Sequence, residues 1–183
     1  AVVFTADHGH SIGDRDYLGK RGYPSGREVL DVPLMVRLPG AEHAGKRSDL
    51  FVQHHDIAAA ILELAGVPQL GELDGVSFLG DALAGQDSDS GRDHVTVAWG
   101  SAVTVITARW WLNCKVDGSG ALLYDLEAAD PFAANVAREH HEVARKLFAS
   151  AAADAGGGFP EWLLDLARRQ ADAPGCSDLA VRS

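Results

Sequence analysis

The sequence lacks several features that define common classes of protein. It has two cysteines among 183 residues, Cys114 and Cys176, and they form no CxxC pair, so neither a disulfide framework nor a structural zinc site is expected. It contains no run of eighteen apolar residues, so a membrane-spanning helix is not expected. It also lacks positive charge: the formal net charge is −10, whereas a nucleic-acid partner requires a clustered basic surface.

The negative charge is unevenly distributed along the chain. Residues 1–50 carry seven acidic and seven basic side chains. The excess of acidic residues therefore lies in the remainder, and the first fifty residues can bind an anion although the whole chain is acidic.

The chain also has neither an initiator methionine nor a signal peptide. Its first six residues, AVVFTA, form a continuous apolar run that is typical of a buried parallel strand. Because a domain rarely begins within its central sheet, we expect the chain to be the C-terminal piece of a longer protein.

The apolar patterns of the first part predict alternating strands and helices. The strand at 1–6 is followed by a glycine-rich loop and by a second strand within 32–40, which Pro-Gly closes. A helix is predicted over 56–68, with Asp56 as its N-cap and Gly66 as its stop.

The pattern changes after a polar segment at 84–93, which predicts a boundary. Beyond it, short strands joined by turns are expected, with Asp117-Gly118 in a hairpin turn and one indole of Trp110-Trp111 in the core. Two helices follow, over 134–153 and 160–170. We therefore predict a truncated α/β region, a small antiparallel-sheet subdomain with a helix, and a C-terminal helix with a tail, at 1–90, 91–155 and 156–183.

The most informative stretch is the opening sequence, AVVFTADHGHSIGDRDYLGK. A strand that ends in Asp7-His8 would place a carboxylate and an imidazole at the carboxyl edge of a sheet, where open α/β folds bind ligands. This mixed donor set suits Mn, Zn or Mg, and Ca less well. Taken in isolation, however, the DHG sequence favours a simple loop cap, and Lys20, thirteen residues after Asp7, favours a solvated lysine.

Taken together, the motifs resemble the sulfatase family of the alkaline phosphatase superfamily, especially its bacterial arylsulfatase and phosphonate monoester hydrolase branch. The order and spacing of four stretches carry the resemblance, which covers residues 1–150: FTADHGHSIGDRDYLGKRGYPSGREVLDVPLMVRLPG, FVQHHDIAAAILELAGVP, LDGVSFLGDALAG and ITARWWLNCKVDGSGALLYDLEAADPFAAN. It implies the C-terminal part of an alkaline-phosphatase-like α/β sandwich, followed by a small antiparallel sheet packed with a C-terminal helix.

The resemblance also implies roles for individual residues. Asp7 and His8 match two ligands of one divalent cation, Ca²⁺ or Mn²⁺. Lys20 matches the lysine that contacts the sulfate or phosphonate oxygens, and it is the candidate catalytic and substrate-binding residue. Arg15 departs from the pattern, because relatives often have histidine after GD; its guanidinium could bind the substrate anion or face solvent.

The other histidines of this region are not expected to bind a metal. His10 replaces a common glutamate and is interpreted as part of the loop. The pair His54-His55 lies just before the predicted helix, and we expect it to be exposed or satisfied in the core.

The largest departure is the lack of the CxPSR-type signature, whose cysteine is converted to the formylglycine nucleophile of sulfatases. Cys114 is followed by KVD and Cys176 by SDL, so neither fits. The nucleophile, the remaining metal ligands and the leaving-group histidine are expected in an N-terminal half that precedes these residues. We therefore expect the 183 residues to be catalytically incomplete.

The sequence thus predicts a metal-dependent hydrolase of sulfate esters, with a small anionic ester as its substrate. No nucleic-acid partner and no membrane segment are expected, and nothing in the sequence excludes an oligomer. One alternative is a phosphonate or phosphate mono- or diester hydrolase that uses the same Asp7, His8 and Lys20. Another is a non-catalytic pseudoenzyme or binding fragment, which is favoured only if the native gene begins near Ala1.

Overall fold

The computed structural model describes residues 1–69, 71–84 and 91–171. The chain divides into two compact units, Ala1–Lys20 with Arg27–Val95 and Arg21–Gly26 with Thr96–Ser183. Most of the predicted polar boundary, Cys176 and the tail lie outside the described residues. Within the described ranges, no helix is long and apolar enough to span a bilayer.

The first unit begins with a two-stranded ribbon of β1 (Val2–Thr5) and β4 (Leu34–Arg37), which pair antiparallel. The prediction of a buried parallel strand at 1–6 is therefore wrong in both respects, since Val2 and Phe4 are 58% and 55% exposed. An apolar run does not encode the direction of its partner strand, which depends on how the intervening chain returns. The alternating burial of β1 is instead that of a ribbon with one more exposed face.

A short hairpin follows β1. It consists of β2 (Ser11–Ile12) and β3 (Leu18–Gly19), which pair antiparallel, and its turn contains a 3₁₀ helix at Asp14–Asp16. The Ser11 hydroxyl is buried and donates to the Tyr17 carbonyl oxygen at 2.8 Å. This bond closes the turn, so the chain leaves β3 close to where it entered β2.

The main helix of the first unit is α2 (His54–Ala65), which ends at Gly66 as predicted, with φ of 64°. Its N-cap is Gln53, so the prediction of Asp56 as the cap is wrong. Asp56 lies in the first turn and accepts a hydrogen bond from the Gln53 backbone N–H at 2.7 Å, which completes a capping box. The other helices of this unit are short: α1 (Arg27–Leu30) and α3 (Leu79–Ala84).

The second unit contains a four-stranded sheet in the order β5-β6-β7-β8. Its strands are β5 (His94–Trp99), β6 (Ala102–Thr107), β7 (Trp110–Lys115) and β8 (Leu122–Asp125). The β6–β7 and β7–β8 pairs are antiparallel, which confirms the predicted small antiparallel sheet. Trp111 is buried, as expected for one of the two adjacent indoles.

Two helices complete this unit, α4 (His141–Asp154) and α5 (Glu161–Ala171). The predicted start of α4 at 134 is wrong, because the preceding residues continue along β8. Leu123 donates its N–H to Asn135 Oδ1 at 2.9 Å and accepts from the Val136 N–H at 2.8 Å. The sheet packs against α4 through a buried apolar core: Val103, Val105, Leu112, Cys114, Leu123, Ala144, Leu147 and Ala151.

Candidate functional site

The candidate site lies in the first unit, immediately after β1. Asp7 and His8 follow this strand, and Lys20 follows β3. The Lys20 Nζ lies 2.9 Å from His8 Nε2, and His8 Nε2 lies 3.3 Å from Asp7 Oδ2. The thirteen residues from Asp7 to Lys20 therefore include a hairpin, which brings Lys20 back beside His8.

The hydrogen bonds of His8 determine which ring nitrogen carries its proton. Nδ1 lies 2.8 Å from the carbonyl oxygen of Gly9, and because a carbonyl oxygen only accepts, Nδ1 is the protonated nitrogen. With the proton on Nδ1, the Nε2 lone pair accepts from the Lys20 ammonium at 2.9 Å, and Asp7 Oδ2 lies 3.3 Å from the same nitrogen. Nε2 is therefore the ring atom that faces the candidate site.

The Asp7 and His8 donors fit a divalent cation. Two ligand atoms about 2.0–2.4 Å from one ion, at right angles to each other, lie about 3 Å apart, and Asp7 Oδ2 and His8 Nε2 are 3.3 Å apart. A hard carboxylate oxygen and an imidazole nitrogen also match the ligand chemistry of Mn²⁺. The part of the chain that the structure describes contains no group of three or more His, Cys, Asp or Glu able to hold a metal ion. The pair thus offers two donor atoms, and metal binding there stays a prediction.

Position 9 must be glycine because α1 approaches its backbone closely. A Cβ on Gly9 would collide with the Glu28 carbonyl group, lying 2.9 Å from its carbon. The Gly9 N–H donates to the Val29 carbonyl oxygen at 2.8 Å. The backbone after His8 is therefore fixed against α1 by a contact that a larger residue would prevent.

Arg15 lies in the turn of the hairpin, where its φ is 50°. Its guanidinium forms an ion pair with Glu28, whose side chain is 19% exposed. No periodicity in the sequence links residues 15 and 28, so this contact with Glu28 could not be predicted from the sequence. A substrate anion would have to compete with this carboxylate for Arg15, and a substrate-binding role for Arg15 stays a prediction.

The first residue of α2 also contacts the site backbone. His54 Nε2 lies 2.7 Å from the carbonyl oxygen of Ala6, the residue before Asp7. His54 and His55 were predicted to be exposed or satisfied in the core, and the Nε2 of His55 lies 3.6 Å from Asp56 Oδ1. The sequence shows only a polar pair at the start of an amphipathic helix. This pattern does not predict that His54 contacts Ala6.

The first turn of α2 is held by a buried ion pair. Asp56 is 2% exposed, and Arg92 donates to both of its carboxylate oxygens, at 2.6 and 2.9 Å. Burial by itself would raise the pKa of Asp56, but hydrogen bonds from Arg92 and from the backbone N–H groups of Gln53 and Val76, with the charge of Arg92, lower this pKa below its usual value. Asp56 is therefore ionised at neutral pH and anchors the turn that carries His54.

Sequence comparisons find relatives for the first part of the chain. The family model described as Sulfatase matches residues 1–67. PehA of Trinickia caryophylli, a multifunctional alkaline phosphatase superfamily protein, is 36% identical over 89 residues, which are 48% of this chain and 17% of that protein. The extracellular sulfatase SULF-1 homolog of Drosophila melanogaster is 33% identical over 78 residues, which are 43% of this chain and 7% of that protein.

A structural comparison extends the similarity to nearly the whole chain. A protein solved in complex with its substrate D-glucosamine-2-N,6-O-disulfate matches with a TM-score of 0.66 and 19% identity, over 96% of this chain and 35% of that one. At this identity the match shows the fold alone. It confirms the predicted α/β class, and the observed sheets and helices are consistent with the predicted C-terminal portion of a sulfatase fold. The chain thus spans less than a fifth of the two sequence relatives and about a third of this solved chain.

Proposed function

Because this chain is a partial region of the sulfatase family, within the alkaline phosphatase superfamily, we propose that its protein hydrolyses sulfate esters with the help of one divalent cation, Ca²⁺ or Mn²⁺. The observation that carries the proposal is the 2.9 Å contact between Lys20 and His8, beside the Asp7 carboxylate. In this proposal, the Lys20 ammonium would bind the anionic ester beside the two proposed ligands of the metal ion.

Lys20 is the proposed catalytic and substrate-binding residue. Its ammonium would face the oxygens of the transferring group, where negative charge collects as the bond to the leaving group breaks. A positioned cation at such a point stabilises the transition state more than the ground state, which is the requirement for catalysis. The hairpin supplies the positioning, because it holds Lys20 beside His8.

Asp7 and His8 are the proposed ligands of the cation. The Gly9 carbonyl fixes the proton on His8 Nδ1 and leaves the Nε2 lone pair for coordination. A divalent cation at this position supplies polarisation of the ester oxygens and alignment of the nucleophile. Because Nε2 has a single lone pair, Lys20 would give up its contact with His8 when this pair is coordinated, and its ammonium could then bind the ester oxygens.

The proposed nucleophile is a formylglycine that these 183 residues do not encode. Cys114 does not replace it, because burial, together with the charge of Asp117, raises the pKa of its thiol to about 12. A thiol with this pKa is protonated at neutral pH and is a poor nucleophile. We therefore propose that the 183 residues alone are inactive.

A second candidate is hydrolysis of phosphonate or phosphate mono- or diesters at the same residues. It is favoured by the 36% identity to a multifunctional alkaline phosphatase superfamily protein. Sulfate and phosphate groups are both tetrahedral oxyanions, so Lys20 and a divalent cation would serve either.

The experiment that tests the proposal uses the full-length gene product. Its kcat/KM is measured for an aryl sulfate, an aryl phosphonate and an aryl phosphate diester, after chelation and after return of Ca²⁺ or Mn²⁺. Metal-dependent hydrolysis with preference for the sulfate is expected, and preference for a phosphorus ester would establish the second candidate. Absence of hydrolysis of all three would favour the non-catalytic alternative, and turnover by the 183 residues alone would overturn their proposed incompleteness.

A further inference from the structure

We propose that His54 is a positioning residue, which fixes the backbone of Asp7 so that Asp7 and His8 can bind one cation; this inference rests on the proposed function. The Nε2 atom of His54 lies 2.7 Å from the Ala6 carbonyl oxygen. Because that oxygen only accepts, Nε2 carries a proton and donates it. The contact is therefore a directed hydrogen bond from α2 to the end of β1.

This bond acts on Asp7 through the planarity of the peptide. The Ala6 carbonyl oxygen and the Asp7 nitrogen belong to one planar unit. A hydrogen bond that fixes the oxygen therefore fixes the orientation of the plane from which the Asp7 side chain projects. The next residue, His8, inherits the same constraint.

Asp7 depends on its backbone for this orientation. Its side chain is 86% exposed, so packing contributes little to the placement of the carboxylate. Backbone contacts flank the pair on both sides: His54 holds the Ala6 carbonyl before it, and the Val29 carbonyl holds the Gly9 N–H after it. The two proposed ligands thus lie between two fixed points of the backbone.

The donor end of the bond is itself anchored. In the first turn of α2, the buried Asp56 binds Arg92 through both oxygens and accepts from the Val76 N–H at 3.0 Å. Gly75 packs so closely on this turn that a Cβ would lie 2.6 Å from the Asp56 nitrogen. His54 therefore donates from a turn that cannot easily shift, which is what a positioning residue requires.

The test compares three variants of the full-length protein: His54→Ala, His54→Gln and His55→Ala. Alanine removes the donor, whereas glutamine keeps an N–H donor at a similar reach. His55→Ala is the matched control, because this neighbouring side chain is similarly exposed and its Nε2 lies 3.6 Å from its nearest carboxylate oxygen, beyond hydrogen-bond distance. The measurements are Mn²⁺ affinity by calorimetry, the backbone amide resonance of His8 in ¹⁵N-histidine-labelled protein, and Tm.

The expected result is specific to the donor at position 54. His54→Ala should weaken Mn²⁺ binding about 10–100-fold, as is typical for loss of a group that orients a metal ligand, and should shift the His8 amide resonance. His54→Gln should restore most of the affinity, and His55→Ala should leave both unchanged. A purely structural role would instead lower Tm while affinity and the His8 resonance of the folded protein stay unchanged.

The outcomes separate this inference from the proposed function. If the wild type binds Mn²⁺ and His54→Ala binds it equally tightly with an unmoved His8 resonance, the positioning role is wrong and the proposed function stands. If the wild type binds neither Mn²⁺ nor Ca²⁺, the proposed metal dependence is wrong, and the His8 resonance decides alone. A shift in His54→Ala that is absent in His55→Ala would then support the positioning of the backbone, and an unmoved resonance would overturn it.

Discussion

The ammonium of Lys20 lies 2.9 Å from Nε2 of His8. The contact joins two groups for which we propose separate roles: the Lys20 ammonium binds the substrate, and His8 binds the metal ion. Since Nε2 has one lone pair, it can bind the ammonium or a metal ion, but not both at once. Substitution of Lys20 should therefore change catalysis and cation affinity in opposite directions.

The first prediction concerns catalysis by the full-length protein. Lys20→Ala should lower kcat/KM for an aryl sulfate about 10²–10³-fold, the usual loss when one positioned donor is removed from developing negative charge. Lys20→Arg should not restore the rate, because a planar guanidinium does not replace a compact ammonium. The control is Arg27→Ala, which removes an exposed partner of Asp31 and should leave the rate nearly unchanged. Equal losses in the Lys20 and Arg27 variants would contradict the assignment.

The second prediction concerns cation affinity in the same Lys20→Ala variant. A single and a double positive charge about 4 Å apart repel by about 2 kcal/mol in a water-like environment, which corresponds to about a 30-fold change in affinity. Removing the ammonium should therefore tighten Mn²⁺ binding by about this factor, whereas His8→Ala should weaken it. Calorimetric titration measures both, and weaker binding in Lys20→Ala would show that the ammonium does not compete with the ion.

The sequence was sufficient to predict features that depend on neighbouring residues. The end of α2 follows from Gly66, which adopts the left-handed conformation there. The sheet of the second unit follows from the β-rich runs around Trp110-Trp111 and from the turn at Asp117-Gly118. The residues of the candidate site were named because they form one continuous motif.

The sequence was not sufficient where a long-range contact decides the structure. The direction of β1 depends on its pairing with β4, and the late start of α4 depends on the hydrogen bonds of Asn135 and Val136 with Leu123 of β8. The contacts of His54 with Ala6 and of Arg15 with Glu28 join residues without any periodic relation. Such contacts depend on packing that a single sequence does not display.

The third prediction concerns Gly9 and uses Gly80 as its control. Gly9→Ala would force a Cβ against the Glu28 carbonyl group, so the backbone after His8 must move. We expect a loss of about 1–3 kcal/mol in the free energy of unfolding, as for other overpacked positions, together with weaker Mn²⁺ binding. Gly80 lies in α3, and apart from its chain neighbours and the backbone of its own helix no described atom lies within 4 Å of the point that an added methyl group would occupy, so Gly80→Ala should be neutral or stabilising. Equal behaviour of the two variants in urea unfolding would contradict the close-approach argument.

The fourth prediction concerns the ion pair of Asp56 and Arg92. Arg92→Ala leaves the Asp56 carboxylate buried without its charged partner. Breaking a buried pair costs about 3–5 kcal/mol, and because the Arg92 side chain is 27% exposed, we expect a loss of about 3 kcal/mol at pH 7. Arg27→Ala is again the control, since exposed pairs contribute about 0–1 kcal/mol.

The pH dependence of this loss identifies its electrostatic origin. In the wild type the pKa of Asp56 is lower in the folded state than in the unfolded state, so its contribution is present above the unfolded pKa of about 3.9 and is lost as pH falls through the folded pKa. Without Arg92, burial should dominate and raise the pKa of Asp56. Asp56 of the variant should then take up a proton as pH falls, which removes its buried, unpaired charge. The difference in free energy of unfolding between wild type and Arg92→Ala should therefore shrink from pH 7 to about pH 4 and below. Urea unfolding at several pH values measures this difference, and a difference that stays constant with pH would mean that Arg92 acts through packing rather than through its charge.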